Sequence, residues 1–442
     1  MRRALIGLWV VAMVAAACTA GGGTKPPQTV NPSGSNAPVK LSVWGFYTER
    51  ELKNFTDILA GFQQKYPWIT VDMVPGKEFQ DIVRGINSGT PIDVAIDAGP
   101  DNVAKYCSSG GWIDLNPYIE ADGLDMSATF PAAVMTYTNY EGKQCALPLL
   151  SDAYGLYYNK ELLTKAGYTD PPKTLSELTA MAEKLTQFNA DGSIKVAGFV
   201  PLSTFYEGYN IYLGNAWGAK WYDEAGKSAF ATDPAWAQAF QWDKELTDFY
   251  GYDNLLKFSS SLGGANSEWS AANGFEAGRI AMLYDGEWRE AFIQNDGVKL
   301  DYATAPFAVA DDRPELYGSG LIGGTVVGVP TTSENPGAAW LLVKYLTTDT
   351  QALESLAHVL KNVPTTIESL KDPQLTSDPI FSTFLGIFSN PNSSFKPLTP
   401  IGTADADLES DFLSRWEAGK ISDLQAGLQQ LATQIDQQLQ LG

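Results

Sequence analysis

Histidine and cysteine are scarce in this chain, with one histidine and three cysteines in 442 residues. A single histidine excludes histidine-rich metal sites, and any Ser-His-Asp triad would depend on His358 alone. Because His358 lies in an apolar stretch, we interpret it as a partly buried helix residue. The cysteines lack the CxxC spacing of zinc and redox sites. We therefore expect no metal and no other cofactor.

Basic residues are also few, with 30 against 51 acidic residues and a formal net charge of −21 at pH 7. Such a surface repels phosphate groups, so we expect no nucleic acid partner and no direct attraction to anionic lipids. Beyond the N-terminus, the apolar runs are too short to span a bilayer as a helix. The length exceeds what one hydrophobic core usually organises, so we expect a soluble body with two lobes.

The N-terminus has the features of a secretory signal. Two arginines follow the first methionine, an uncharged segment comes next, and three alanines precede Cys18. We predict a signal peptide over 1–17, then a lipidated Cys18 and a disordered tether over 18–38. The segment resembles the lipobox of bacterial lipoproteins, although the position three before the cysteine is Ala15 instead of the usual leucine. The alternative is ordinary signal cleavage with an unmodified Cys18.

Two cysteines remain once Cys18 is set aside. Cys107 and Cys145 form an even pair in a chain that we expect to reach an oxidising compartment. We therefore predict a disulfide between them, and the alternative is two separate buried thiols.

Strand and helix patterns alternate from the end of the tether onward. Residues 39–43 alternate between apolar and polar, apolar residues then recur at helical spacing until Pro67, and strand patterns return at 69–74 and 92–96. This βαβ-like opening predicts an α/β fold with a mainly parallel sheet.

Later segments continue the alternation. A capping box at Thr174 and Glu177 predicts a helix start, and Asn335 is expected to cap a helix that begins at Pro336. Further patterns predict strands at 279–284 and 324–330, a C-terminal helix with a leucine stripe over 424–439, and core positions for Trp112, Trp236, Trp242 and Trp340.

Several segments resemble one protein family. They are Val39–Gly45, Phe62–Pro67, Gly89–Val94, Gly142–Pro148, Gly155–Leu163, Ala166–Thr174, Gly278–Trp288 and Gly323–Pro330. From about Val39 to the C-terminus the chain resembles the extracellular solute-binding proteins of ABC sugar importers, the maltose-binding-like family. The resemblance implies two α/β lobes, joined by a hinge, with a ligand cleft between them. It places the first lobe at 39–147 plus about 307–362, and the second at 148–306 plus about 363–442.

The candidate ligand residues are aromatic, acidic or glycine residues near predicted strand ends and loops. Aromatic rings stack on the C–H faces of sugars, and carboxylates bind sugar hydroxyls. The resemblance implies that Trp288 stacks on a sugar and that Asp152 accepts hydrogen bonds from it. The full set is Trp44, Tyr47, Glu49, Asp97, Asp152, Tyr154, Tyr206, Glu207, Trp269, Glu287, Trp288, Gly323 and Gly324.

Each candidate also has a structural alternative. Asp97 could end a strand, Glu49 could stand in the first turn of a helix, and Trp288 could pack between the lobes. The remaining aromatics could cover the edge of the core, and the two glycines could satisfy a turn.

Together these features predict an extracytoplasmic, lipid-anchored monomer. We expect it to bind a carbohydrate of two or more units and to deliver it to an ABC transporter permease, touching the membrane only through its lipid. One rival is a secreted glycoside hydrolase with Asp97 and Asp152 as acid and base. The other is a structural or adhesive surface lipoprotein.

Overall fold

The computed structural model describes residues 37–205, 213–263 and 268–441. The predicted signal peptide, Cys18 and nearly all of the tether lie outside the described residues, as do Tyr206 and Glu207.

The described strands follow the chain as a series of short segments and one long one. They are β1 (Val39–Gly45), β2 (Ile69–Val74), β3 (Val94–Asp97), β4 (Asn139–Tyr140), β5 (Lys143–Gln144), β6 (Ala146–Asn159), β7 (Gln187–Phe188), β8 (Ile194–Val196), β9 (Met282–Gly286), β10 (Tyr302–Ala305), β11 (Ile322–Gly328) and β12 (Val363–Pro364).

The described α-helices surround these strands. They are α1 (Glu49–Lys65), α2 (Phe79–Asn87), α3 (Asn102–Ser109), α4 (Asn116–Asp122), α5 (Met126–Thr129), α6 (Ala132–Met135), α7 (Lys160–Lys165), α8 (Leu175–Leu185), α9 (Pro234–Tyr250), α10 (Tyr252–Ser261), α11 (Arg289–Asn295), α12 (Pro336–Thr348), α13 (Thr350–Leu360), α14 (Pro373–Thr376), α15 (Phe381–Phe388), α16 (Ala404–Glu417) and α17 (Leu424–Leu441).

The main sheet is mixed. Its strand order is β10-β6-β11-β3-β1-β2, with β9 and β12 also paired to β6. Strand β1 runs parallel to β2 and β3, as predicted, but every pairing of β6 and β11 is antiparallel. The prediction of a mainly parallel sheet was therefore wrong beyond β3. Alternation of apolar residues identifies a strand but carries no information about its direction.

Strand β6 connects two sheet regions. Its residues 146–153 pair with β11 and β12, whereas residues 154–159 pair with β9 and β10. Most of its side chains are buried on both faces, so its sequence is a nearly continuous apolar run without alternation. One strand of 14 residues thus passes from one region of the α/β fold into the other.

Helix boundaries follow the sequence signals closely. Helix α1 buries Phe55, Leu59 and Phe62 and ends before Pro67. In the capping box of α8, the backbone N–H of Glu177 donates to Oγ1 of Thr174, and the Glu177 carboxylate accepts from the backbone N–H of Thr174. The end of α1 and the start of α8 were both predicted from the sequence.

The start of α12 differs in one respect. Pro336 occupies its first turn as predicted, but the side chain of Asn335 makes no capping hydrogen bond. The backbone N–H of Asn335 is instead directed at Oδ1 of Asp93, 3.3 Å away. Asn335 therefore occupies the predicted N-cap position, but its side chain does not cap the helix.

Most of the predicted core positions are buried, and the others are partly buried and pack against the core. Leu428, Leu431 and Ile435 of α17 face the interior, as do three of the four tryptophans, Trp112, Trp236 and Trp340. Trp242 is half-buried and packs against the same core. Partly buried His358 lies in α13 and pairs with Asp372. In the described part of the chain, no helix combines the length and apolarity needed to cross a bilayer.

Candidate functional site

Three segments meet where β6 passes between its two sheet regions. Asp152 lies on β6, Glu287 directly follows β9, and Asn362 directly precedes β12. The side-chain amide of Asn362 donates to Oδ1 of Asp152 at 2.8 Å and to Oε1 of Glu287 at 3.2 Å. The other carboxylate oxygen of Glu287 accepts from the backbone N–H of Ala153 at 2.9 Å. We call Asp152, Glu287 and Asn362 the crossing cluster.

The two acids of the crossing cluster lie in an environment that disfavours charge. Burial raises the pKa of Asp152 to about 7, and the hydrogen bond from Asn362 offsets only part of this effect. Burial, followed by the neighbouring charge of Asp152, also raises the pKa of Glu287 well above its ordinary value. We therefore expect the pair to retain a proton near neutral pH.

Trp288 directly follows Glu287 of the crossing cluster, and its indole ring is half-buried. The ring packs edge-on against Tyr154, with 5.2 Å between ring centroids. It also covers Gly286, where an added Cβ would lie only 2.2 Å from the indole. The indole N–H is buried and has no hydrogen-bond partner among the described residues. An indole N–H is a donor only, and it suits a group that can accept, such as a hydroxyl.

Two tyrosines and strand β11 also lie near Asp152. The hydroxyl of Tyr137 donates to Oγ of Ser151 at 3.2 Å, and that serine donates to the carbonyl of Gly323 at 2.8 Å. The buried Tyr47 hydroxyl bonds to Thr325, and its pKa is raised first by burial and then by nearby acids that include Asp152. The candidates Tyr47, Asp152, Tyr154, Glu287, Trp288 and Gly323 are thus brought into one region.

Gly324 has a packing requirement of its own. Its φ is +138°, and an added Cβ would lie 2.2 Å from the carbonyl oxygen of Leu150. Only glycine allows β11 to approach β6 this closely. Gly324 therefore has a structural role in the packing of β11 against β6, and this role is independent of any ligand.

Other predicted residues make different contacts. Trp44 packs against Gly85 of α2, with the Lys77 ammonium 4.9 Å from its ring, and borders a separate cavity of about 590 Å³. Exposed Glu49 is the first residue of α1. Trp269 is 46% exposed and packs on Phe292 with 5.1 Å between centroids.

The carboxylate of Asp97 is hydrogen-bonded to residues that follow it closely in the chain. Its carboxylate accepts from the backbone N–H of Gly99, the amide of Asn102 and the hydroxyl of Tyr106. Burial raises its pKa to about 6 despite these hydrogen bonds. The acid joins the end of β3 to α3, the arrangement expected of a strand-terminating residue.

Sequence reasoning missed Asn362, Tyr137 and Ser151. Asn362 stands just before Val363 and Pro364, a short segment that the resemblance places at a crossing. The position of this amide residue beside a crossing segment was the signal in the sequence that could have pointed to Asn362. Tyr137 stands between two threonines and Ser151 follows an apolar run, and neither pattern in the sequence indicates a ligand site.

A family model described as bacterial extracellular solute-binding protein matches residues 48–353. The chain belongs to this family. A maltotriose-binding protein of Pyrococcus abyssi is 22% identical over 349 residues, which cover 78% of this chain and 70% of that relative. A maltooligosaccharide ABC transporter solute-binding lipoprotein of Streptococcus pneumoniae is 24% identical over 387 residues, or 83% of this chain and 82% of the relative.

Solved structures agree with this assignment. The mannobiose-bound protein CpMnBP1 superposes with a TM-score of 0.79 at 23% identity, over 89% of this chain and 99% of that one. Maltose-bound MalE3 of T. maritima gives a TM-score of 0.73 at 24% identity, over 90% and 99%. The predicted two-lobed α/β fold and the resemblance to solute-binding proteins of ABC sugar importers are confirmed. This solute-binding protein is a binder and not an enzyme, which removes the hydrolase alternative.

Proposed function

We propose that this solute-binding protein captures a carbohydrate of two or more units in a cleft between its lobes and delivers it to an ABC transporter permease. In this proposal the lobes are 39–147 plus about 307–362, and 148–306 plus about 363–442. Strand β6 is then one crossing segment, and the chain before β12 is another. Hinge motion at these crossings would open and close the cleft.

The observation that carries the proposal is that Trp288 directly follows Glu287 of the crossing cluster. Its half-buried indole contacts Tyr154 and offers a flat apolar face, and Asp152 and Asn362 offer polar atoms in the cluster that Glu287 joins. Sugars present the same combination of apolar ring faces and dense hydroxyl groups. The names of the relatives and solved structures include maltotriose, maltooligosaccharide, maltose and mannobiose, which supports this ligand class.

We further propose that the protein is a lipid-anchored monomer outside the cytoplasm. One relative is named as a lipoprotein. The structure joins Cys107 of α3 to Cys145, next to β6, by a disulfide bond, which suits an oxidising compartment. Cys18 would carry the lipid, and residues up to 38 would tether the lobes to the membrane surface.

Isothermal titration calorimetry tests the ligand class. The exported chain with Cys18→Ser would be titrated with maltotriose, maltose and mannobiose, using the polyol sorbitol as a comparison. We expect saturable one-to-one binding of at least one of these sugars, and a ligand at 100 times its Kd should add about 2.7 kcal/mol to the free energy of unfolding. Chromatography of the recovered sugar should show it uncleaved. No heat and no thermal stabilisation across a wider carbohydrate panel would refute sugar binding and favour the adhesive alternative.

A further inference from the structure

Trp269 presents a large aromatic ring to solvent. Its side chain is 46% exposed, although the ring packs on Phe292 of α11 with 5.1 Å between ring centroids. Soluble proteins tolerate single exposed apolar side chains, so exposure alone does not define a site. The other contacts of the ring distinguish an ordinary surface residue from a ring that is held in place for a ligand.

A buried cation holds the Trp269 ring from the protein side. The guanidinium of Arg289 lies 5.5 Å from the centre of this ring, and the arginine side chain is fully buried. The guanidinium bonds to Asp285 at 2.6 Å and to Glu276 at 3.1 Å, and it donates to the carbonyl of Glu268 at 2.8 Å. Because Glu268 directly precedes Trp269, the same cation contacts the ring and the backbone beside it. An exposed ring that is already ordered loses little entropy when a ligand covers it.

The Trp269 ring continues a series of aromatic rings that begins at the crossing cluster. Trp288 immediately precedes α11, and the backbone N–H of Phe292 is directed at the carbonyl of Trp288, 3.4 Å away. Residues four apart on a helix share a face, with about 5 to 6 Å between their Cβ atoms, so Phe292 links Trp288 to Trp269. We call Tyr154, Trp288, Phe292 and Trp269 the aromatic series. Exposure rises from 8% at Tyr154 to 46% at Trp269, so the series leads from the buried acids to the surface.

Arg50 of α1 supplies hydrogen-bond donors beside the aromatic series. Its guanidinium lies 4.6 Å from the centre of the Phe292 ring, and Nη1 donates to the carbonyl of Ala291 at 3.3 Å. A guanidinium carries five N–H donors, so this bond uses only part of its capacity. Arg50 and Trp269 thus contact the same ring, one with polar donors and the other with an apolar face. A sugar unit uses both kinds of contact.

We propose that Trp269 forms an outer subsite that stacks on a third sugar unit, so that the protein binds trisaccharides more tightly than disaccharides. In this arrangement Trp288 contacts an inner unit, and the chain passes along Phe292 to Trp269. The inference rests on the proposed function, because it extends the same carbohydrate site. It adds a preference for chain length to the ligand class.

Isothermal titration calorimetry with sugars of two lengths tests the subsite. The chain with Cys18→Ser, with and without Trp269→Ala, would be titrated with maltose and maltotriose, and with mannobiose and mannotriose as a second pair. We expect Trp269→Ala to raise the trisaccharide Kd about 5-fold or more, and to leave the disaccharide Kd within about 2-fold. Trp269→Phe keeps an aromatic ring and should retain most of the preference for the trisaccharide.

The matched control is Phe188→Ala. It removes a ring that is 45% exposed and packs on Phe249 in another part of the fold, and it should change neither Kd. An unchanged trisaccharide Kd in Trp269→Ala, or equal rises in both Kd values, would overturn the subsite while sugar binding itself stands. If the chain without Trp269→Ala binds none of the four sugars, the subsite fails together with the maltose and mannobiose arms of the proposed function.

Discussion

In the proposed function, ligand recognition depends most on Trp288. Its ring is half-buried and contacts Tyr154 and Gly286, so its truncation should spare the core. Loss of an aromatic anchor commonly costs about 2 kcal/mol of binding free energy or more, so Trp288→Ala should raise the sugar Kd by roughly 30-fold. Calorimetric titration and thermal unfolding of the same variant provide the two measurements.

The matched control is Trp242→Ala. Trp242 is also half-buried, but its indole donates to Thr179 of α8 in another part of the fold, and its loss should not change sugar affinity. If Trp288→Ala binds like wild type, the residue lies outside the site. A large fall in its melting temperature would instead assign Trp288 to packing.

The crossing cluster should make stability depend on pH. The pKa of Asp152 is about 7 in the folded protein, above the ordinary value near 4 that it has when unfolded. Between these values the unfolded chain releases a proton that the folded protein retains, so rising pH destabilises the fold. Asp152→Asn removes the contribution of Asp152 to this dependence while preserving an acceptor for Asn362, and the contribution of Glu287 remains.

We therefore expect Asp152→Asn to be more stable relative to wild type at pH 8 than at pH 5, by about 1 to 2 kcal/mol. Urea unfolding at both pH values measures the difference. The comparison variant is Asp57→Asn, which changes an exposed carboxylate of α1 and should show no such difference. An identical pH profile for Asp152→Asn and wild type would count against a shared proton in the cluster.

At the scale of elements, the contact between β6 and β11 depends on one glycine. Gly324→Ala would place a methyl group against the backbone of Leu150 and Ser151 and would impose a backbone angle that alanine rarely adopts. We expect a loss of at least about 2 kcal/mol in the free energy of unfolding. Its neighbour provides the control, because a Cβ on Gly323 would meet only Phe395, at 4.0 Å. Chemical denaturation should thus find Gly323→Ala much nearer to wild type, and equal losses would contradict this packing argument.

Elements with a simple period could be predicted from the sequence. The alternation in β1 and β2, the stripe of α1 and the capping box of α8 are local patterns, and each fixes an element within a few residues. Strand β6 was not predicted as one element because its side chains are buried on both faces and show no period. Its antiparallel partners come from residues more than 120 positions away, a pairing that no local pattern specifies.

The contrast between local patterns and contacts of distant residues also applies to the candidate site. Trp288 and Asp152 could be named as candidates because the resemblance extends from about Val39 to the C-terminus. Asn362 was missed because its contacts are with two acids that are 210 and 75 positions away in sequence. Asp97 illustrates the reverse case, since its residue type suits a ligand site, yet its carboxylate accepts hydrogen bonds from Gly99 in the following loop and from Tyr106 in α3.

At the scale of the whole molecule, the net charge of −21 gives the body no electrostatic attraction to anionic membranes. Membrane association would therefore depend on Cys18 alone. A cysteine whose thiol carries diacylglycerol inserts two acyl chains, which is enough for stable anchoring, whereas a single chain binds only reversibly. We expect wild-type protein to sediment with membranes and Cys18→Ser to be found in the soluble extracytoplasmic fraction, with unchanged sugar affinity. Cys107→Ser is the comparison, since it removes the disulfide and should leave the folded protein in the membrane fraction. Intact-mass measurement of native protein showing Cys18 without a lipid would refute the anchor.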